Sequence, residues 1–329
     1  MAASTTVARG PASRERSLAR REALTAYAFI APYLIIAGIF TVALLVYAFY
    51  VSLTDLKATF ARSWNFVGFA NYIRAFSNPD FRIALGNVFW YFVIVTTFQT
   101  IGAILLASLL NARIKGQRVY RTMFYAPSVA SSVVMSMIFW WLFLPTGWIN
   151  AVLGTNLAWL QDPRGLFQIL FGPLGVQIGS PFLRGPSVAW MAIMFMAIFS
   201  TIPTFMVMFL AALQDIPGHL YEAAAIDGAT GVTAFLRITL PLLRPVILLV
   251  VVLGTIGTFQ VFDQVAIITR GGPLRTTLTP AWLIYAKTLG QETGAEAGFG
   301  AAMAFILAAV IFGITVIQRR YIETAGERY

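Results

Sequence analysis

Side chains able to do covalent or redox chemistry are scarce in this 329-residue chain. His219 is the single histidine and cysteine is absent, which excludes thiol nucleophiles, disulfides and thiolate metal sites. His219 lies in a polar connector, where a solvated or interface role is the ordinary one. A phosphate loop of the G-x-x-x-x-G-K-[ST] kind needs Lys followed by Ser or Thr. Lys287-Thr288 meets that single step, but Tyr285 and Ala286 precede it where glycine is required. The chain therefore lacks that route to nucleotide hydrolysis, and it does not read as an enzyme.

The polar chemistry gathers instead in two stretches. Residues 222–245, EAAAIDGATGVTAFLRITLPLLRP, lie between two long apolar runs. Asp215-Ile216-Pro217 supplies an N-terminal stop, with Pro where the first helical turn needs no N–H donor. Leu220 through Ile226 then reads as a short amphipathic helix with a small face of Ala223, Ala224 and Ala225. Gly228 breaks it, Thr230 or Thr233 can cap a second turn, and Pro241 and Pro245 reset the chain for the next apolar run. Small side chains let such a helix dock closely into a groove, while Glu222 and Asp227 can pair with basic residues of a partner. The plainer alternative is a connector in which alanine serves only helix propensity. The flanking Pro and Gly favour docking.

The second stretch is Gly254-Thr255-Ile256-Gly257-Thr258-Phe259-Gln260-Val261-Phe262-Asp263-Gln264. On a helix, Gly254, Thr258 and Val261 share one face, and Thr255, Phe259 and Phe262 lie on the adjoining one. Hydroxyls, amides and ring faces could meet a polyhydroxylated solute, whose C–H faces stack on rings and whose hydroxyls need partners. Packing between helices through small residues is the alternative. Met194, Phe195, Phe199, Ser200, Thr201 and Thr204 form a weaker candidate set, since Met and aromatic stripes more often pack.

Both stretches need a scaffold that composition identifies. Hydrophobic residues make up 59% and charged residues 11%, against about 25% charged in a soluble domain. Such a surface is solvated by lipid. Six apolar runs, near 26–50, 87–110, 123–145, 187–213, 242–263 and 299–318, reach the roughly 20 residues that span a bilayer. The chain reads as an all-α polytopic membrane protein with six transmembrane helices. The last run is Gly/Ala-rich, which predicts close helix packing. Trp140, Trp141 and Trp148 fall at a span end, as an interfacial belt would.

With the N-terminus inside, 14 of the 23 basic residues fall in the inside segments, so both termini and the 215–245 connector are expected in the cytoplasm. This accounts for the net charge of +10, and nucleic-acid binding is not expected from Arg clusters that flank spans. Residues 1–25 read as a basic cytoplasmic tail, unstructured over 1–20, and 26–329 as the transmembrane domain. The first run is longer than a signal-peptide core and is expected to be retained. On the opposite side, 146–186 is rich in Pro and Gly and reads either as a receiving surface or as a partly ordered loop.

Several of these residues resemble known motifs. Glu222-Ala223-Ala224, Ile226-Asp227-Gly228-Ala229, Ile238 and Leu240-Pro241 resemble the EAA loop of binding-protein-dependent ABC importer permeases. Phe66-Val67-Gly68-Phe69-Ala70-Asn71-Tyr72 is similar to the FVGxxNY segment of carbohydrate permeases. Phe262-Asp263 through Thr269-Arg270-Gly271-Gly272-Pro273 is similar to their FD…LTxGGP segment, with Arg270 where the family usually has glycine. The likeness covers about residues 25–322 and is greatest to the maltose/glycerol-3-phosphate permease type.

The resemblance implies an ABC type I importer permease fold, moving a sugar or sugar derivative across the cytoplasmic (inner) membrane of a prokaryote by alternating access. It implies a second homologous permease, a dimer of ATP-binding subunits that carry the ATP and Mg, and an extracytoplasmic sugar-binding protein; no cofactor is expected on this chain. It assigns Glu222, Ala223, Ala224, Asp227 and Gly228 to ATPase coupling. In related permeases the span holding Gly254, Thr255, Thr258, Phe259, Gln260 and Asp263 lines the substrate path, which supports these candidates without assigning individual roles. The Gly271-Gly272-Pro273 loop, with 146–186, could receive the binding protein. The rival class is an ion-coupled secondary transporter of a small polar solute. It is disfavoured because no ionisable residue falls near the centre of a run, and Asp263 comes only at the end of the fifth.

Overall fold

Long apolar runs in lipid have one economical solution, the α-helix, which satisfies every backbone N–H and C=O within the segment. The computed structural model describes residues 11–57, 64–112, 115–176, 178–289 and 295–326, with only the backbone of 11–17 and 321–326. Among the described residues there are sixteen α-helices and no strand, only two isolated bridges. In chain order they are α1 (Pro11–Ala37), α2 (Leu44–Ser52), α3 (Ala70–Ser77), α4 (Pro79–Asn111), α5 (Gln117–Val129), α6 (Ser132–Leu142), α7 (Trp148–Leu153) and α8 (Leu166–Phe171). There follow α9 (Val188–Gln214), α10 (Gly218–Ile226), α11 (Gly231–Ala234), α12 (Leu240–Leu242), α13 (Arg244–Phe259), α14 (Asp263–Ile268), α15 (Pro280–Leu289) and α16 (Ala297–Gly326).

The body is built on α4 and α9, packed along their length, with α13 and α15 against them and α16 packed in turn on α13 and α15. Phe81, Val88, Val95, Trp190, Ile193, Phe259 and Met303 fill one half of the core, and Ala103, Leu110, Met206, Phe209, Leu243 and Val250 the half nearer the connector. The close packing expected of the last run is present at its start. A Cβ at Gly298 would overlap the Thr54 carbonyl, and one at Gly300 the Thr288 hydroxyl.

The structure holds five or six candidate spans, as expected: five helices are long and apolar enough to cross a membrane, and α5 with α6, bent by 95°, makes the sixth when the pair is one span. Two details are corrected. The apolar run at 123–145 is therefore not one rod. Pro127 sits in the last turn of α5, Ala130 and Ser131 are extended, and the Ser131 hydroxyl accepts from Val134 N at 3.3 Å to restart the helix. The second correction concerns the N-terminal tail. Residues 1–10 lie outside the described residues, but α1 begins at Pro11. Ala, Arg, Glu and Leu are good helix formers, so polarity there did not mean lack of structure.

A π-helical turn, Gly38–Ala43, joins α1 to α2. The most apolar stretch of this first span has no buried residue. Contact begins only at its far end, where Phe49 meets Phe305 edge-on at 5.3 Å and Val51 packs with Leu56 and Ala297. The FVGFANY segment secures that end. Asn71 Nδ2 donates to Ser52 O at 2.9 Å and Thr54 O at 2.8 Å, carbonyls that the end of α2 leaves free, and Tyr72 shares a 2.7 Å hydrogen bond with Ser52.

The described residues of the Pro/Gly-rich segment 146–186, all but 177, include two short helices, α7 and α8, held by side-chain hydrogen bonds. Its organiser is Asn150, 2% exposed, whose Oδ1 accepts from Thr155 Oγ1, Leu157 N and Trp159 Nε1 at 2.8–3.2 Å. The Asn150 amide nitrogen reaches the carbonyls of Leu144, Pro145 and Leu157. A bridge between Gly165 and Ser187 closes the segment onto the start of α9.

Candidate functional site

The connector folds as the hairpin its residues predict. Pro217 is the N-cap of α10, and the helix starts at Gly218, two residues before Leu220. At its end Ala229 N donates to Ala224 O at 2.9 Å and Gly228 N to Ala225 O at 3.1 Å. With Gly228 at φ 76, this is a Schellman stop, which needs a left-handed residue after the cap. No atom lies within 4 Å of a Cβ built at Gly228, so glycine is there for its backbone angle and not for a close approach. Thr230 caps α11, accepting from Thr233 N at 3.3 Å, and Tyr221 bonds Thr239 at 2.8 Å to tie the two arms.

The hairpin's outer face is open. Glu222, Ala223, Asp227 and Gly228 are exposed and Ala224 is half-buried. Ile226, Val232 and Leu236 are 87%, 69% and 54% exposed. Three bare aliphatic side chains beside two carboxylates form a mixed patch of the kind that contacts another protein.

The second candidate stretch is not one straight helix. It ends at Phe259 and restarts at Asp263, leaving a break inside a span that runs from Arg244 to Ile268. Asp263 thus lies within the fifth span, not at its end as the apolar run suggested. The Ser132 hydroxyl of α6 donates to its carboxylate, joining two broken helices.

Next to this break is a cavity of about 430 Å³. Of the six residues assigned to a path, Gly254, Thr258, Gln260 and Asp263 line it. Thr255 and Phe259 do not: Thr255 bonds Gln318 on α16, and Phe259 packs against Phe92 at 5.3 Å between ring centres. Ser200 and Thr201 line it from α9, whereas Phe195 and Phe199 face a separate cavity of about 760 Å³ whose walls are aliphatic and aromatic. Met194 is core and Thr204 is exposed elsewhere. Trp140, Trp141 and Trp148 are exposed, consistent with a belt.

Comparison with known proteins decides the class. Residues 99–323 match the family described as binding-protein-dependent transport system inner membrane component. A relative in Bacillus subtilis, the probable ABC transporter permease protein YesP, is 30% identical over 313 residues, 92% of each chain. The trehalose/maltose transport system permease protein MalF of Thermococcus litoralis is 30% identical over 90% of this chain and 93% of its own. The chain belongs to this permease family. Its fold is also that of a bacterial ABC transporter solved by crystallography and involved in import of the acidic polysaccharide alginate. That match has a TM-score of 0.73 at 21% identity and covers 94% of this chain and 99% of the other. This permease is a multi-pass membrane protein and a transport subunit.

The permease's third motif is a rigid loop at the end away from the hairpin. Arg270, at φ 51, occupies a left-handed conformation that glycine adopts freely, which accounts for the family's usual glycine there. Gly271 is at φ 88, with Leu278 Cδ1 3.0 Å from a built Cβ. Thr277 Oγ1 donates to Gly272 O at 2.5 Å, and Asn87 Nδ2 holds Arg275 O and Leu278 O at 2.9 and 3.0 Å. Leu274 stands 82% exposed at the loop's tip beside Pro273, and Arg275 pairs with Asp80 at 2.5 Å.

Sequence reasoning missed Tyr91 and Gln99, both on α4 and both in the cavity wall. Gln99 is 1% exposed, its Oε1 accepts from Thr201 at 2.8 Å, and its Nε2 has no hydrogen-bond partner among the described residues. The Gln99 amide lies against Gly254, where any Cβ would overlap it. A lone amide inside an apolar run was the available signal, since buried polar groups in a membrane are costly without a purpose.

Proposed function

We propose that the chain is one of two homologous permease halves of an ATP-driven importer for a sugar or sugar derivative. The observation that carries this reading is the cavity at the broken fifth span. Its hydroxyls and amides, from Ser200, Thr201, Thr258, Gln260 and Gln264 with Gln99 behind them, suit a polyhydroxylated solute. The relatives' transport of trehalose/maltose and of sn-glycerol-3-phosphate, as named, supports the substrate class. A structural neighbour solved with an alginate pentasaccharide-bound periplasmic protein supports a binding-protein partner. In this reading Gly271, Gly272 and Pro273 meet that partner, and ATP and Mg stay on a pair of ATPase subunits. The hairpin, through Glu222, Ala223, Ala224, Asp227 and Gly228, docks on an ATPase in the cytoplasm, with both termini on that side of the prokaryotic inner membrane. Closure of the ATPase pair brings the two hairpins together and opens the opposite face by rigid-body rotation.

Uptake of labelled sugars into vesicles holding the full complex tests this. Transport is expected to require ATP and the external binding protein, and Gln260→Leu should reduce it about ten- to a hundredfold, the value of one buried hydrogen bond. Uptake driven by an ion gradient without ATP would return the secondary-transporter reading.

A further inference from the structure

The charge of the cavity wall has a consequence for what passes. Asp263 is the one charged side chain in the wall; among the described residues no Lys, Arg or His lines it. Gln99 supplies a nine-tenths buried, unpartnered N–H donor behind Gly254, so the wall offers hydrogen bonds without positive charge. A sugar carboxylate or phosphate entering here gains no cation and meets a carboxylate instead, and charge repulsion in a partly dry site is strong. A neutral hydroxyl can accept from Gln99 at no such cost.

We propose that this chain's side of the path selects uncharged or amino sugars and rejects anionic ones, with Asp263 as the discriminating residue. The proposal rests on the reading of this cavity as the substrate path. It narrows the substrate class given above, and it contrasts with the acidic polysaccharide named for one structural neighbour and with the anionic sn-glycerol-3-phosphate named for one relative.

The cysteine-free sequence makes the local charge measurable. Gly257 lines the cavity, is exposed, and has open space where a Cβ would go, so Gly257→Cys places one thiol there without a clash. In membranes containing the full chain with its natural partners, that thiol is treated with cationic trimethylammonioethyl methanethiosulfonate and with anionic sulfonatoethyl methanethiosulfonate. Each rate is normalised to that of a free thiol in solution. The cationic reagent should react about tenfold faster, the order one carboxylate gives across a partly dry cavity. Asp263→Asn, which keeps an acceptor for Ser132, should bring the ratio to within about twofold of one. Reaction with both reagents at equal normalised rates, or a bias that survives Asp263→Asn, overturns the charge assignment alone. No reaction with either reagent overturns the path reading and this proposal with it. ATP-dependent uptake of a uronate oligosaccharide or a sugar phosphate at the rate of a neutral sugar also overturns the proposed selectivity.

Discussion

Gly228 is the residue on which the coupling argument can be tested most directly. It stands at φ 76 with open space where a Cβ would go, so replacement changes backbone energy and removes no packing. Alanine in a left-handed conformation costs about 1–2 kcal/mol, while the two Schellman hydrogen bonds that depend on it are worth about 1 kcal/mol each. Strain and lost bonds are therefore comparable. The formed stop should become less populated by roughly five- to thirtyfold in Gly228→Ala. Gly228→Asn should lie near wild type, because asparagine tolerates this region. Gly228→Pro should be worst, since its φ is fixed near −65° and it has no N–H for Ala225 O. The assay is co-purification of the ATPase together with hydrolysis stimulated by loaded binding protein, and solubilised permease should keep its monodisperse profile throughout. If Gly228→Ala and Gly228→Pro both retain bound ATPase and full stimulation, the hairpin is only a connector.

Other outcomes follow from the same structure. Glu222→Lys presents the wrong charge on the exposed hairpin face and should weaken ATPase retention, with recovery when a basic partner residue is reversed; unchanged co-purification would count against the docking face. Asn150→Ala removes the hub of the 146–186 segment and should cost about 3 kcal/mol or more of local stability, read as faster protease cleavage between 144 and 187. Arg164, hydrogen-bonded to Asp162, holds that carboxyl below its usual range. A depressed carboxyl contributes stability that is present above its unfolded value, about 4, and is lost as pH falls through the folded one. Protease resistance of this segment should therefore stay flat down to about pH 4 and fall below it, and Asp162→Asn should remove that step.

Legibility followed the range of the interactions. The hairpin was readable because Pro217, Gly228 and Thr230 act on their own neighbours within a turn or two. The Gly-rich start of α16 announced close packing for the same reason, as any Cβ there is excluded locally. The break between α5 and α6 was hidden because one apolar run crosses it, and only Pro127 and Ser131 marked it. Asp263 was placed at a span end because hydropathy cannot see a helix that stops at Phe259 and restarts at Asp263 within one candidate span. Thr255 and Phe259 share a face by periodicity with Phe262, yet α16 and Phe92 claim them, a matter of tertiary neighbours. The partner of Gln99 is Thr201, some hundred residues on, and no local rule could have paired them.

The bare first span bears on how the protein is made. From Leu18 to Tyr47 none of its side chains is buried; α3 reaches its far end soon after in the sequence, and α16 only after all the intervening helices are in place. An apolar helix can wait alone in the bilayer because its backbone is already satisfied internally. The Phe49–Phe305 contact then closes a loop of most of the chain, the kind of contact whose entropic cost is met last. Insertion and assembly are thus separable events in this chain, and substitutions at the α2–α16 seam should slow maturation while leaving the membrane topology intact.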